Sequence, residues 1–189
     1  MRLTLATHNE HKVSEFARLL GAYEIVGLPA GSAAPTEDGD SFAANALIKA
    51  RAGAAISGGP TVADDSGICV ESLGGAPGIL SARWAGEPCD DAANLQLLID
   101  KTEPGDRLEY VCAIAYCDPH NNVETTVEGR CLGIRVAEPR GSGGFGYDPA
   151  FEPLGAPGRT MAELSGDQKD RISHRGNAVR ELSLLLGRQ

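Results

Sequence analysis

Short apolar runs of strand type alternate along this chain with stretches whose apolar residues recur at helical spacing. That interleaving constrains the fold more than any other feature. Arg2 to Ala6 has strand character, and Asn9 to Leu20 brings Val13, Phe16, Ala17 and Leu20 onto one helix face. Tyr23 to Gly27 reads as a second strand. The following mix of Pro, Gly and carboxylates has no period and reads as loop, and the Ala-rich stretch from Ser41 to Ile56 predicts a helix. Thr61 to Glu71 reads as strand, acidic turn, strand. A Gly/Pro loop carrying Trp84 leads to a predicted helix over Asp90 to Asp100, with Leu95, Leu98 and Ile99 inward. Arg107 to Cys117 and Val123 to Val136, separated by Asp-Pro-His-Asn-Asn, predict a hairpin. Residues 139 to 151 form a Gly-rich loop, and a last helix over Ser173 to Leu186 turns Val179, Leu182 and Leu186 inward. With no internal repeat and no dividing linker, the expectation is one mixed α/β domain over residues 1–189.

The 189 residues, 42% of them hydrophobic, suffice for a core without disulfide staples. A net charge of −9 repels polyanionic nucleic acid and anionic lipid at long range, so neither is an expected partner. Tyr110 to Cys117 is the longest apolar run, far short of the roughly 18 residues of a membrane span. Thr4, Thr7 and His8 interrupt the start before a signal-peptide core could form, so a cytoplasmic location is expected. The five cysteines are odd in number and lie mainly in apolar company, which reads as reduced thiols. Without a CxxC or paired histidine ligands, zinc is not expected.

Four places combine residues that chemistry needs. At the first strand-to-helix turn, Thr7, Asn9 and Lys12 with the helix N-terminus could cradle phosphate; the alternative is a Thr or Asn cap beside a surface lysine. Asp64-Asp65-Ser66-Gly67, with Glu37, Asp38 and Asp40 upstream, concentrates carboxylates that repel one another unless they hold a hard cation such as Mg²⁺. The alternative there is an acidic β-turn. On a strand, neighbouring side chains face opposite sides, so at most one of Asp64 and Asp65 points at a given ligand unless the turn begins there. In Gly141 to Asp148, glycines permit close backbone approach, Phe145 or Tyr147 offers a flat face to a base, and Asp148 could accept from a ring N–H; a flexible loop with two aromatic anchors is the alternative. Near the final helix, Lys169, His174 and Arg175 add positive charge and donors for a carbonyl oxygen, while Ser173 reads as an N-cap.

Together LATHNEHK, FAANALIKAR, ADDSGICVESLGGAPGILSARWAG, GGFGYDPAFEP and MAELSGDQKDRISHRGNA resemble, in order and nearly end to end, the Ham1/RdgB family of inosine/xanthosine triphosphate pyrophosphatases. The resemblance implies a mixed α/β fold with a long twisted central sheet, helices forming two lobes around a nucleotide cleft, and a homodimer. It implies Mg²⁺-dependent hydrolysis of ITP, dITP and XTP to the nucleoside monophosphate and pyrophosphate. By residue matching, Thr7, His8, Asn9, Glu10, His11 and Lys12 would hold the triphosphate, with Lys49 nearby. Asp65 would be the general base, and Glu37 with Asp65 would bind Mg²⁺. Ser66 would touch substrate, and Phe145, Gly146, Tyr147 and Asp148 would hold the base. Lys169 would reach phosphate or ribose, and His174 with Arg175 would read the 6-oxo edge. The family often has a carboxylate where this chain has Ala44, which leaves the metal load to Glu37, Asp64 and Asp65. Many relatives carry Gly at the place of His8. Two other readings fit the residues: a Maf-type pyrophosphatase acting on other nucleotides, and a non-catalytic nucleotide-binding sensor.

Overall fold

A computed structural model describes residues 2–7 and 9–187. In chain order the elements are β1 (Arg2–Leu5), α1 (Glu10–Leu19), β2 (Glu24–Gly27), α2 (Phe42–Ser57), β3 (Thr61–Val70), α3 (Asp91–Lys101), β4 (Arg107–Asp118), β5 (Val123–Arg135), β6 (Phe151–Pro153), α4 (Gly166–Ile172) and α5 (His174–Leu186). The strands form one sheet in the order β2-β1-β3-β4-β5-β6. Strand β1 runs parallel to β2 and β3, with Leu3 opposite Ile25 and Leu5 opposite Val62, whereas β5 and β6 are antiparallel. The sheet is therefore mixed, as the interleaved pattern implies. Among the described residues no helix is long and apolar enough to cross a membrane.

The chain divides into two compact units. The first comprises the residues up to Asp65, Cys112–Gly129 and those from Arg175 onward; the second comprises Ser66–Val111 and Arg130–His174. In the first unit, Leu3, Leu5, Phe16, Leu20, Val62, Ile114, Val179 and Leu182 make one core, because α1 and α5 present apolar stripes. A second layer is built from alanines: Ala46, Ala50 and Ala54 of α2 pack with Ala6, Ala63, Ala113 and Ala115. Such small side chains let the helix lie close to the strands. A Cβ on Gly53 would stand 2.7 Å from Ala6 Cβ and 2.8 Å from Thr61 Cγ2, so even a methyl group would crowd this approach. In the second unit Ile68, Val70, Leu98, Leu108, Phe151 and Met161 form the core.

The acidic turn expected inside Thr61 to Glu71 is absent: β3 is one continuous, almost wholly buried strand. Alternation already separates Asp64 from Asp65, so no turn is needed to part their charges. Gly67 serves close approach, since a Cβ there would fall inside van der Waals contact with Ser81 Oγ. The hairpin turn is as expected. Asp118 Oδ1 accepts from His120 N and Asn121 N, and Asn122 takes a positive φ of 53°. The C-terminal helical stretch is divided at Ser173, whose backbone is extended between α4 and α5. Of the five free thiols, Cys112, Cys117 and Cys131 are buried and Cys89 is exposed.

Candidate active site

In the first unit, β3 delivers its two adjacent carboxylates to different cations. Asp64, 1% exposed, lies 2.9 Å from Lys12 Nζ and 3.1 Å from Arg175 Nη2. Arg175, also 1% exposed, donates as well to Glu15. Burial works against the Asp64 charge, but Lys12, Arg175 and Lys49 outweigh it and hold this carboxyl well below its ordinary range. The Arg175 pKa moves the other way and is raised: burial disfavours its charge, but neighbouring groups, Asp64 first among them, more than offset that. Asp64 is thus engaged with protein cations. Beside this network, burial pushes the Cys112 thiol up to about 12, so it stays neutral.

Asp65 meets helix α2 instead. Lys49 Nζ donates to Asp65 Oδ1 at 3.0 Å and Asn45 Nδ2 donates to Oδ2 at 3.2 Å. Four residues apart, these two side chains share one helix face and take one carboxylate oxygen each. Glu37 Oε1 lies 3.3 Å from the same Lys49 ammonium. Burial opposes the Lys49 charge, but Asp65, Asp64 and Glu37 together raise its pKa above the usual lysine value. Two carboxylates therefore converge on one positive centre. Among the described residues no three His, Cys, Asp or Glu side chains gather as a metal cage. A cation held by Glu37 and Asp65 would need phosphate and water oxygens to complete its shell. Mg²⁺ is commonly bound in that manner, so the donor set fits it.

At the β1–α1 turn the cap is formed: Asn9 Oδ1 accepts from Lys12 N and Thr7 Oγ1 accepts from Asn9 N, each at 3.2 Å. Glu10 and His11 are exposed in the first helical turn, and Lys12 reaches inward to Asp64. His8 lies outside the described residues.

The second unit gathers a different set. Asp148, 3% exposed, accepts from Lys169 Nζ at 2.7 Å, from Tyr110 OH at 3.1 Å and from Phe145 N at 3.1 Å. Three of a carboxylate's roughly four acceptor positions are filled by the protein itself. Gly144, at φ +70°, touches the same carboxylate so closely that no Cβ fits. Lys169 Nζ stands 5.1 Å from the centre of the Phe145 ring. Gly146 N donates to Asp91 Oδ2 at 3.1 Å, and Tyr147 OH donates to the Ser81 carbonyl at 2.7 Å. Tyr110 stacks on His174 with ring centres 4.6 Å apart, and on Phe151 at 4.4 Å. Burial first, and then Asp148, raises the Tyr110 phenol well above its ordinary value, so it remains a donor. Ser66, half-buried, opens this unit on β3.

The structure thus assembles Glu37, Lys49 and Asp65 in one unit, and Phe145 to Asp148, Lys169 and His174 in the other. Arg175, paired in sequence with His174, lies in the first unit and is engaged with Glu15 and Asp64. The contacts that Asn45, Glu15, Asp91 and Tyr110 make with these residues were not legible from sequence. For Asn45 a signal existed in its four-residue spacing from Lys49; for the others the partners are distant in the chain.

The Ham1 family model matches residues 3–184. A dITP/XTP pyrophosphatase of Streptomyces avermitilis is 47% identical over 191 residues, covering 96% of this chain and 94% of that protein. Two solved structures match over the full length of both chains at a TM-score of 0.85: the Ham1 protein of Staphylococcus aureus, 34% identical, and a HAM1 protein from Coxiella burnetii, 36% identical. Likeness of this extent, in sequence and in backbone alike, makes the chain a member of the Ham1 family.

Proposed function

We propose that this chain is a nucleoside triphosphate pyrophosphatase. It hydrolyses ITP, dITP and XTP to the monophosphate and pyrophosphate, and so clears non-standard purines from the nucleotide pool. The observation that carries this reading, in a Ham1-family chain, is the convergence of Glu37 and Asp65 on the Lys49 ammonium. Glu37 and Asp65 would hold Mg²⁺, which when bound neutralises phosphate charge and lowers the pKa of water. Asp65 orients the attacking water and accepts its proton, its second oxygen being fixed by Asn45. Lys49 balances the charge of the attacked phosphate. Lys12, held by Asp64, presents a second cation beside the capped N-terminus of α1, where Thr7 to Lys12 line the triphosphate.

In the second unit Phe145 supplies a flat face for the purine, and Lys169 with Asp148 sets the loop on which that face is carried. His174, oriented by its stack on Tyr110, donates to the 6-oxo group. Adenine offers a donor at that position and leaves the donor of the site unmatched, which costs more than a missing contact. Ser66 contacts substrate from the start of the second unit. Residues 1–189 act as one catalytic domain, in a cytoplasmic homodimer.

Pyrophosphate release measured with ITP, dITP, XTP, dTTP and UTP under saturating Mg²⁺ tests the reading. The expected result is turnover of the first three. Preference for dTTP or UTP would replace it with a Maf-type activity, and tight ITP binding without pyrophosphate would replace it with a sensor.

A further inference from the structure

The Asn45 side chain is completely buried, and a buried amide must find partners for both its donor and its acceptor. Its two partners come from two separate pieces of the candidate site. Nδ2 donates to Asp65 Oδ2 at 3.2 Å, while Oδ1 accepts from Gly39 N at 2.9 Å, two residues beyond Glu37. A primary amide can donate to a carboxylate through its nitrogen and accept from a backbone N–H through its oxygen at the same time. An aspartate here could do the second and not the first. The approach of the loop is tight: a Cβ on Gly39 would stand 2.7 Å from Asn45 Oδ1 and 2.8 Å from Ala44 Cβ. The first turn of α2 is itself fixed by Ser41 Oγ, which accepts from Ala44 N at 3.3 Å. Lys49 then completes the arrangement from the same helix face by touching both carboxylates.

We propose that Asn45 is a positioning residue. Its single amide ties Asp65 to the Glu37 loop and so presents the two carboxylates together to a divalent cation. This deepens the assignment of Asp65 and Glu37 made above and rests on it. The two arms of the amide can be broken separately. Asn45→Asp keeps the shape and the acceptor for Gly39 but replaces the donor to Asp65 with a carboxylate oxygen that repels it. Gly39→Ala keeps the amide and displaces the loop.

The test compares wild type, Asn45→Asp, Asn45→Ala and Gly39→Ala. It measures kcat and KM for ITP with Mg²⁺, the affinity for Mn²⁺ alone by electron paramagnetic resonance, and the fold by near-UV circular dichroism. Asn45→Asp should lower kcat about 10- to 100-fold, the worth of one hydrogen bond to a charged group, with KM little changed. Asn45→Ala and Gly39→Ala should both weaken Mn²⁺ binding. Folded variants that lose thermal stability yet keep wild-type kcat and Mn²⁺ affinity would overturn the proposal, because a purely structural asparagine behaves that way. Should the Asn45 variants not fold, wild-type Mn²⁺ affinity in folded Gly39→Ala overturns it on its own. A wild-type protein that releases no pyrophosphate from ITP defeats the functional reading, while the Mn²⁺ comparison still decides the positioning role.

Discussion

In the first unit, Asp64, Asp65, Glu37 and Glu15 are set against Lys12, Lys49 and Arg175, so each cation is shared between carboxylates or each carboxylate between cations. In the second, one ion pair, Lys169 with Asp148, is embedded among Tyr110, Phe145, Tyr147 and His174. Four carboxylates against three cations leave the first arrangement net negative, which would suit a divalent cation and, with that cation bound, phosphate. The second has little net charge and instead offers ring faces and oriented donors, which distinguish one flat heterocycle from another. If this division is sound, damage to the first unit appears in turnover or in stability, and damage to the second in substrate affinity and choice.

The largest effect is expected from Asp65→Asn, which keeps the shape and removes the proton acceptor. Its kcat for ITP should fall on the order of 10²- to 10⁴-fold, with KM far less changed, in steady-state pyrophosphate release. An effect confined to KM would break the comparison on its first side.

Asp64→Asn separates the buried network from the chemistry. It leaves Lys12 beside a neutral amide and takes from Arg175 one of its two carboxylates, and thermal or denaturant unfolding at pH 7 should show a loss of about 3 kcal/mol. Asp64 has a depressed folded pKa. Its contribution is therefore complete above its ordinary value of 3.8 and is lost as pH falls below that toward the folded value. The gap in stability between wild type and variant should stay constant from neutrality down to about pH 4 and narrow only below it. A gap that changes between pH 5 and pH 7 would mean that another group is responsible.

Asp148→Asn should raise KM for ITP about 10- to 100-fold while sparing kcat, because it loosens the loop that carries Phe145 and frees Lys169 from its counter-charge. Selectivity for ITP over ATP should fall in the same measurements. A kcat loss without a KM change would place Asp148 with the chemistry of the first unit.

Ala50→Leu probes the scaffold alone. Ala50 is fully buried in the alanine layer under α2, and overpacking it should cost about 1–3 kcal/mol in chemical unfolding. Because the same helix carries Asn45 and Lys49, a kcat loss larger than the stability loss would show how finely the helix must be placed.

The parts of this picture that were legible in sequence are those written in short range. Helical and strand periods predict β1, α1, β2, α2, α3, β4, β5 and α5 in order but not the short β6 and α4, and the alternation rule correctly separates Asp64 from Asp65. The turn read into Thr61 to Glu71 failed because Ser66-Gly67 carries a turn signature, whereas Gly67 is there to admit Ser81 against the strand. Long-range partners were not legible. Nothing near Glu15 announces Arg175, 160 residues away, and nothing near Tyr110 announces Asp148. Motif matching placed Lys169 at phosphate or ribose, but it could not show the carboxylate 2.7 Å from its ammonium.

Hydrolysis of ITP in water enriched in ¹⁸O, followed by mass spectrometry of both products, tests most directly whether the acidic pair on β3 and its loop sends water to the innermost phosphorus. The label is expected in inosine monophosphate, with pyrophosphate unlabelled. Label in pyrophosphate or in free phosphate would contradict the account.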